Sequence, residues 1–295
     1  TLGQAQQISR FAALMHTEGC GNSTEPEFID TMLGYLSHPM AATCLLLEHG
    51  CEKTHNDFWR QRLREEGLDP EQFGWASVQM DGGIKRTLAA IKAWFTVDCA
   101  KLTEPREVTS GFKNVRIGMM TEGKVDEQTA ISLAAITKQI AAAGGTLIIP
   151  DDDPLTIDGT FIEALQIGRR ERPTLAYAHQ PAQPGLHLMA NAGWQWLETL
   201  TGLGATGVEL VLALASRRTR PSHPFIPVLR VSADAGNGDE VHEDIDLILR
   251  GSPQQRLNQL GVEISAVLSR TMKPKLSQKG DIGFQVTRGR FGVSL

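Results

Sequence analysis

Short apolar runs alternate with stretches of helical apolar spacing along nearly the whole chain, and this alternation is what most constrains the fold. Runs at 11–15, 43–47, 75–79, 115–119, 146–149, 186–189, 208–214 and 228–231 read as strands. Between them, 25–36, 54–66, 84–95, 127–143 and 194–203 read as helices, and a last helical region starts at 245–248 and continues through Leu257, Leu260, Ile264, Val267 and Leu268. Strand and helix in regular alternation predict an α/β fold with parallel-rich sheets flanked by helices. Thr24 and Glu27 are spaced as a capping box for the first helix, and Gly144-Gly145 suits the end of the fourth.

The breaks in this rhythm divide the chain into a first α/β unit over 1–100, a charged linker over 101–111, a second unit over 112–270 and a polar tail or edge element over 271–295. Pro173, Pro181 and Pro184 mark 169–185 as loop. The succession from 11 to 52 is echoed from 186 to 220, with Leu33-Gly34 and Leu203-Gly204 late in the two helices, which predicts two similar units facing one cleft. The sequence opens at Thr1 with neither a starting Met nor a signal-peptide pattern, so a preceding domain is expected.

A formal net charge of -5 argues against a nucleic-acid partner or an anionic membrane surface, which need a basic field. Apolar runs are too short for a membrane helix. Four cysteines in 295 residues make no disulfide scaffold, so a reducing cytoplasm is the expected location. Cys44 lies inside an apolar run and Cys99 follows a helix, and both read as packing residues.

Chemistry concentrates where two strands should end. His16-Thr17-Glu18-Gly19-Cys20-Gly21-Asn22 follows the first run, and Glu48-His49-Gly50-Cys51-Glu52 follows the second. Thiolate and imidazole are ligands for zinc or ferrous iron, and strand C-termini are where open parallel sheets place ligands. Buried cysteines beside tight glycine turns are the alternative. His38-Pro39 suits either a helix C-terminus or a site, and Gln79 to Gly83 forms a turn whose N–H groups, before a helix, suit a carboxylate. Asp151-Asp152-Asp153-Pro154 reads as a turn or a cation site, and Arg217 belongs to a basic loop at 216–220 whose forks match carboxylates. Dinucleotide, Walker, nucleophile-elbow and zincin motifs are absent.

The order His16-Thr-x-Gly-Cys20-Gly21, His38-Pro39, Gly50-Cys51-Glu52, Ser77-Val-Gln79 and Gly82-Gly83 resembles the altronate and galactarate dehydratase family, and the likeness extends over about residues 10–270. The resemblance implies a hydro-lyase that removes water from a sugar acid, an aldonic or aldaric acid, with a divalent metal: iron, or else manganese or zinc. On that reading Cys20, Cys51 and His16 are metal ligands, and Glu52, Asp81 and His16 are catalytic. Thr17, Gly21, Asn22, His38, Gln79, Gly82, Gly83 and Arg217 then hold substrate, and the chain is a cytoplasmic homo-oligomer. Where the family has Cys-Gly-Gly-Ser-Asp, this chain has Thr121-Glu-Gly-Lys-Val125, so a silent paralogue that binds a sugar acid or pairs with an active subunit is the alternative.

Overall fold

The computed structural model describes residues 12–16, 25–97, 100, 108–168, 172–193, 195–214, 220–233 and 243–287. Two parallel sheets carry the fold. The smaller pairs β1 (Leu45–Glu48) with β2 (Gly74–Ser77), Leu45 opposite Gly74 and Glu48 opposite Ser77. The larger has seven strands: β3 (Arg116–Thr121), β4 (Thr146–Pro150), β5 (Thr174–Leu175), β6 (Gly185–Met189), β7 (Leu210–Leu214), β8 (Val228–Ser232) and β9 (Leu247–Ile248). Their order is β5-β6-β4-β3-β7-β8-β9 and every pairing is parallel. The chain leaves β3 toward β4 on one side and later returns to β7 on the other. That reversal opens a crevice at the strand C-termini, the usual ligand position in such sheets.

Every residue of β4 and β7 is buried, because both faces of the large sheet are covered. Ile117, Met119, Leu147, Ile149, Leu210 and Leu212 pack on α4 (Glu127–Ala142), α5 (Gly159–Leu165) and α7 (Pro253–Leu268). Met120, Ile148, Met189, Val211 and Ala213 face the other way, onto α6 (Trp196–Ala205). The period of two along each strand thus feeds two separate cores.

The first hundred residues add α1 (Pro26–Leu36), α2 (Asn56–Glu65) and α3 (Ile84–Val97). Helix α1 joins the two sheets: Phe28, Leu33 and Leu36 pack with Leu46, Trp59 and Leu63, while Tyr35 belongs to the core beneath α6. Its approach to α6 is close. A Cβ on Gly34 would run into the carbonyl oxygen of Ala205, and one on Gly204 into the Tyr35 hydroxyl.

The α/β class with parallel sheets is borne out, and several expectations are corrected. The two sheets are unequal, two strands against seven. The echoed Leu-Gly pairs share a physical cause, since each glycine lets α1 and α6 touch. Residues 12–16 form no strand; Leu14 packs against the core beneath α6 instead. The N-cap of α1 is Glu25, without a side-chain hydrogen bond, and Pro26 pre-sets the first turn. Residues 247–248 pair with β8 as a strand, and α7 begins only at Pro253, capped by Ser252 and Gln255. Within the proline-rich loop Thr174–Leu175 pairs with β6. Of the C-terminal residues, α8 (Lys275–Lys279) is followed by Val286, which is fully buried with apolar side chains of α1 and α2, and 288–295 lie outside the described residues. No helix among the described residues is long and apolar enough to cross a membrane.

Candidate functional site

The loops that end β1 and β2 meet. Val78 N–H donates to the Glu48 carbonyl and Gln79 N–H to that of His49, each at 3.0 Å. Gly50 has φ +110, and a Cβ there would strike the Gln79 side chain, so glycine permits this contact. On this shared rim the His49 Nδ1 and Cys51 Sγ are 3.3 Å apart, with Cys51 exposed.

Glu52 closes its own loop. One carboxylate oxygen accepts from His49 N at 2.8 Å and the other from Gly50 N at 2.7 Å. Burial disfavours its ionised form, but backbone N–H groups from 49 to 52 outweigh burial and hold the carboxyl below its usual range. Such a group is a weak base and a good loop-former. Asp81 differs: its Oδ2 accepts from Ser77 N at 3.0 Å, on the rim below Gln79.

Gly82 and Gly83 take φ +80 and +103, but their N–H groups are spent within the turn, on the carbonyls of Gln79 and Val78. These two N–H groups are therefore engaged within the turn itself. Arg86 and Thr87 N–H groups donate to the Gly83 carbonyl, so Ile84 and Lys85 carry the first helical N–H groups without an earlier intrahelical carbonyl. The Arg86 guanidinium folds over Gly82. Lys85 and Arg86 were missed from sequence, yet they carried a signal: α3 has no acid in its first turn and two bases, against the helix dipole.

His38 is buried and both ring nitrogens are engaged internally, Nε2 with the Val208 carbonyl at 3.2 Å and Nδ1 accepting from Met40 N at 3.1 Å. Burial pushes its pKa down to about 4, so the ring is neutral, and it ties the turn after α1 to Val208, just ahead of β7. It bonds Val208 and Met40 rather than the last carbonyls of α1, so it is not a cationic helix cap. His16 is exposed, with its ring edge-on to Phe28 at 5.4 Å. Thr17, Cys20, Gly21, Asn22, Cys99 and Arg217 lie outside the described residues.

Thiolate and imidazole on one zinc or iron stand about 3.5 Å apart, given metal distances of about 2.3 and 2.0 Å. The His49–Cys51 pair fits that chemistry in kind and spacing. Among the described residues no group of three or more His, Cys, Asp or Glu side chains converges as a metal site, so the pair is two donors.

A second polar concavity, about 370 Å³, opens at the C-terminal ends of β3, β4 and β6. Asp153 at its base is buried and accepts from Thr121 N and Oγ1 at 2.7 and 2.8 Å and from Leu155 N at 2.9 Å. Burial, opposed by these donors and reinforced by Asp152, pushes its pKa up to about 6. The triple-Asp turn thus has a buried bracket between β3 and β4.

Residues 1–100 match the family model described as D-galactarate dehydratase/altronate hydrolase, second domain. The match covers both rim loops and α3 and bears out the sequence resemblance over those residues, about a third of the chain. No curated protein matches the chain.

Proposed function

We propose that the chain is a sugar-acid hydro-lyase of the altronate/galactarate dehydratase type, with the rim of β1 and β2 holding the reacting end of an aldonic or aldaric acid. The observation that carries this reading is the positive start of α3. Lys85 and Arg86 follow the Asp81–Gly83 turn, with the Arg86 guanidinium against Gly82, inside the segment that matches the family. An uncancelled cationic helix N-terminus favours a carboxylate.

In this arrangement Arg86, Lys85 and the first N–H groups of α3 hold the substrate carboxylate. Asp81, in place of the locked Glu52, takes the proton from the adjacent carbon. The hydroxide leaving the next carbon needs a proton or a Lewis acid, and the His49–Cys51 pair is the group on this rim suited to either. A divalent metal would be held by Cys51 and His49 together with Cys20, and when bound it supplies positive charge to the developing enolate. Exposed Leu47, Met80, Ile84 and Leu88 near the same rim suit self-association, and the composition suits a cytoplasmic protein.

The locked Glu52 favours one second reading: a relative that binds a sugar acid without turnover. Incubation with a panel of aldonic and aldaric acids, read by formation of the 2-keto-3-deoxy product, separates the two. Dehydration of one acid, abolished by Asp81→Asn, is the expected result. Absence of product with every acid, alongside a saturable rise in melting temperature, would replace the lyase by the binding relative. Elemental analysis of anaerobically purified protein tests the metal, with loss in Cys51→Ser expected and retention overturning the ligand role.

A further inference from the structure

The concavity at the end of the large sheet uses none of the β1–β2 rim residues, and it is built for hydroxyl groups. Its floor is set by β3 and β4 through the Asp153 bracket, so the walls above are held by ordered backbone. On one wall Asp152 is oriented by the buried Asn191, whose Nδ2 donates to both carboxylate oxygens at 3.0 and 3.2 Å. A carboxylate has about four lone-pair sites, so Asp152 keeps acceptor capacity for further donors. Asn191 is itself fixed by Thr199 at 3.0 Å and by its backbone bond to Asp151 at 2.9 Å.

Opposite stands Arg220. Among the described residues only its Nε is engaged, by Glu122 at 2.5 Å, so the guanidinium keeps further N–H donors. Trp196 lines the same space, its Nε1 held by the Pro221 carbonyl at 2.9 Å, which leaves the indole as a fixed apolar wall. Exposed Gln195 completes the rim with both a donor and an acceptor. Acceptors, donors and a rigid aromatic around a volume of this size match a ligand that carries a row of hydroxyls and apolar C–H faces. Charge decides the rest: among the described lining residues Glu122, Asp152 and Asp153 stand against Arg220 alone, and Arg220 is already paired. Within this described lining an anion meets more negative than positive charge.

We propose that this concavity is a binding site for an uncharged polyhydroxylated small molecule, a polyol or sugar, with Asp152 and Gln195 accepting its hydroxyls and Arg220 donating to them. The site is separate from the rim assigned to the sugar acid and does not depend on that assignment.

Isothermal titration of the full chain with matched pairs tests it: galactitol against D-galactarate, and D-glucitol against D-gluconate. The members of each pair share a carbon skeleton and differ at their ends. At least one neutral polyol is expected to bind more tightly than its acid. Asp152→Asn and Gln195→Ala should each weaken that binding about tenfold, while Cys51→Ser and Arg86→Gln leave it unchanged. Both lining residues are exposed, and far-ultraviolet circular dichroism checks that the variants fold. Failure of every polyol to bind, tighter binding of the acid at these residues, or indifference to both lining variants would overturn the proposal. Loss of dehydration with polyol binding intact would count against the lyase reading alone.

Discussion

The Tyr35 hydroxyl lies 2.9 Å from Nε2 of His223, with the rings stacked at 5.5 Å and 6°, although 188 residues separate them in the chain. The proton positions follow from the partners. Nδ1 of His223 accepts from the N–H groups of Phe225 and Ile226, so its proton is on Nε2 and points to Tyr35, whose hydroxyl donates to the Thr201 carbonyl. Burial pushes His223 down to about 3, with the neighbouring His38 adding to the effect, and the tyrosine correspondingly stays un-ionised. This polar thread ties α1 of the first hundred residues to α6 and to the loop before β8 inside a buried core.

Replacing His223 by Leu strips partners from two backbone N–H groups and the Tyr35 hydroxyl at once. The Tyr35 hydroxyl keeps its bond to Thr201, while each of the two N–H groups left unsatisfied costs about 1–3 kcal/mol, so a loss of about 2–6 kcal/mol is expected in urea unfolding. A change under about 0.5 kcal/mol would mean the thread is structurally idle.

The same histidines set an acid limit. Both have folded pKa values below the ordinary 6.5, His38 about 4 and His223 about 3, so the unfolded chain takes up protons first as pH falls. Their contribution is complete above pH 6.5 and is lost progressively toward their folded values. In His223→Gln the stability slope between pH 6.5 and 4.5 should shrink, measured by chemical unfolding at each pH.

Asp153 works in the opposite sense. Its folded pKa of about 6 lies above the usual 3.8, so the folded state holds the proton longer, and stability from this group is present below 3.8 and lost as pH rises through 6. The difference corresponds to about 3 kcal/mol. Asp153→Asn should abolish this component, so that stability rises more steeply from pH 4 to 6 than in the wild type. An unchanged pH profile would contradict the buried carboxyl.

Gly34→Ala should weaken the α1–α6 contact, because the added methyl meets the Ala205 carbonyl oxygen on a helix that cannot yield locally. Overpacking of this kind costs about 1–3 kcal/mol. Gly67→Ala, where a Cβ meets nothing but φ is +75, separates steric from backbone strain, and melting temperatures of both variants give the comparison.

If the proposed lyase reading holds, Arg86→Gln should raise the KM for a sugar acid about tenfold with kcat less affected, because the proposed carboxylate holder is removed and the proposed base Asp81 remains. Steady-state kinetics decide it: a loss confined to kcat would place Arg86 in the chemical step, and unchanged kinetics would remove it from the site.

Much of the large sheet was legible because its strands are continuous apolar runs between amphipathic helices, as in residues 146–149 and 208–214. Where the pattern was short or mixed it misled. Residues 247–248 carry the same aliphatic side chains a helix would use, and only the open edge of β8 makes them a strand. At the rim the residue types of the Cys51 loop were visible, but roles were not. Glu52 offered the right group for a base, and the fold turned both oxygens onto backbone N–H groups. His38 offered an imidazole, and burial took both nitrogens. Lys85 and Arg86 took no part in the sequence reading, and the fold sets them at the start of α3, with the Arg86 guanidinium against Gly82.

The order of residues determined the α/β class, the parallel strands, the glycine turns and the two loops that carry sulfur, imidazole and carboxylate, since these follow from local periodicity and turn chemistry. The tertiary structure decided which of those groups face solvent. It joined Tyr35 to His223, buried His38 and Val286, raised Asp153 and opened the concavity beside Asp152 and Arg220. The reason is physical: a side chain's reactivity depends on desolvation and on hydrogen-bond partners, and those are supplied by segments far away in the chain.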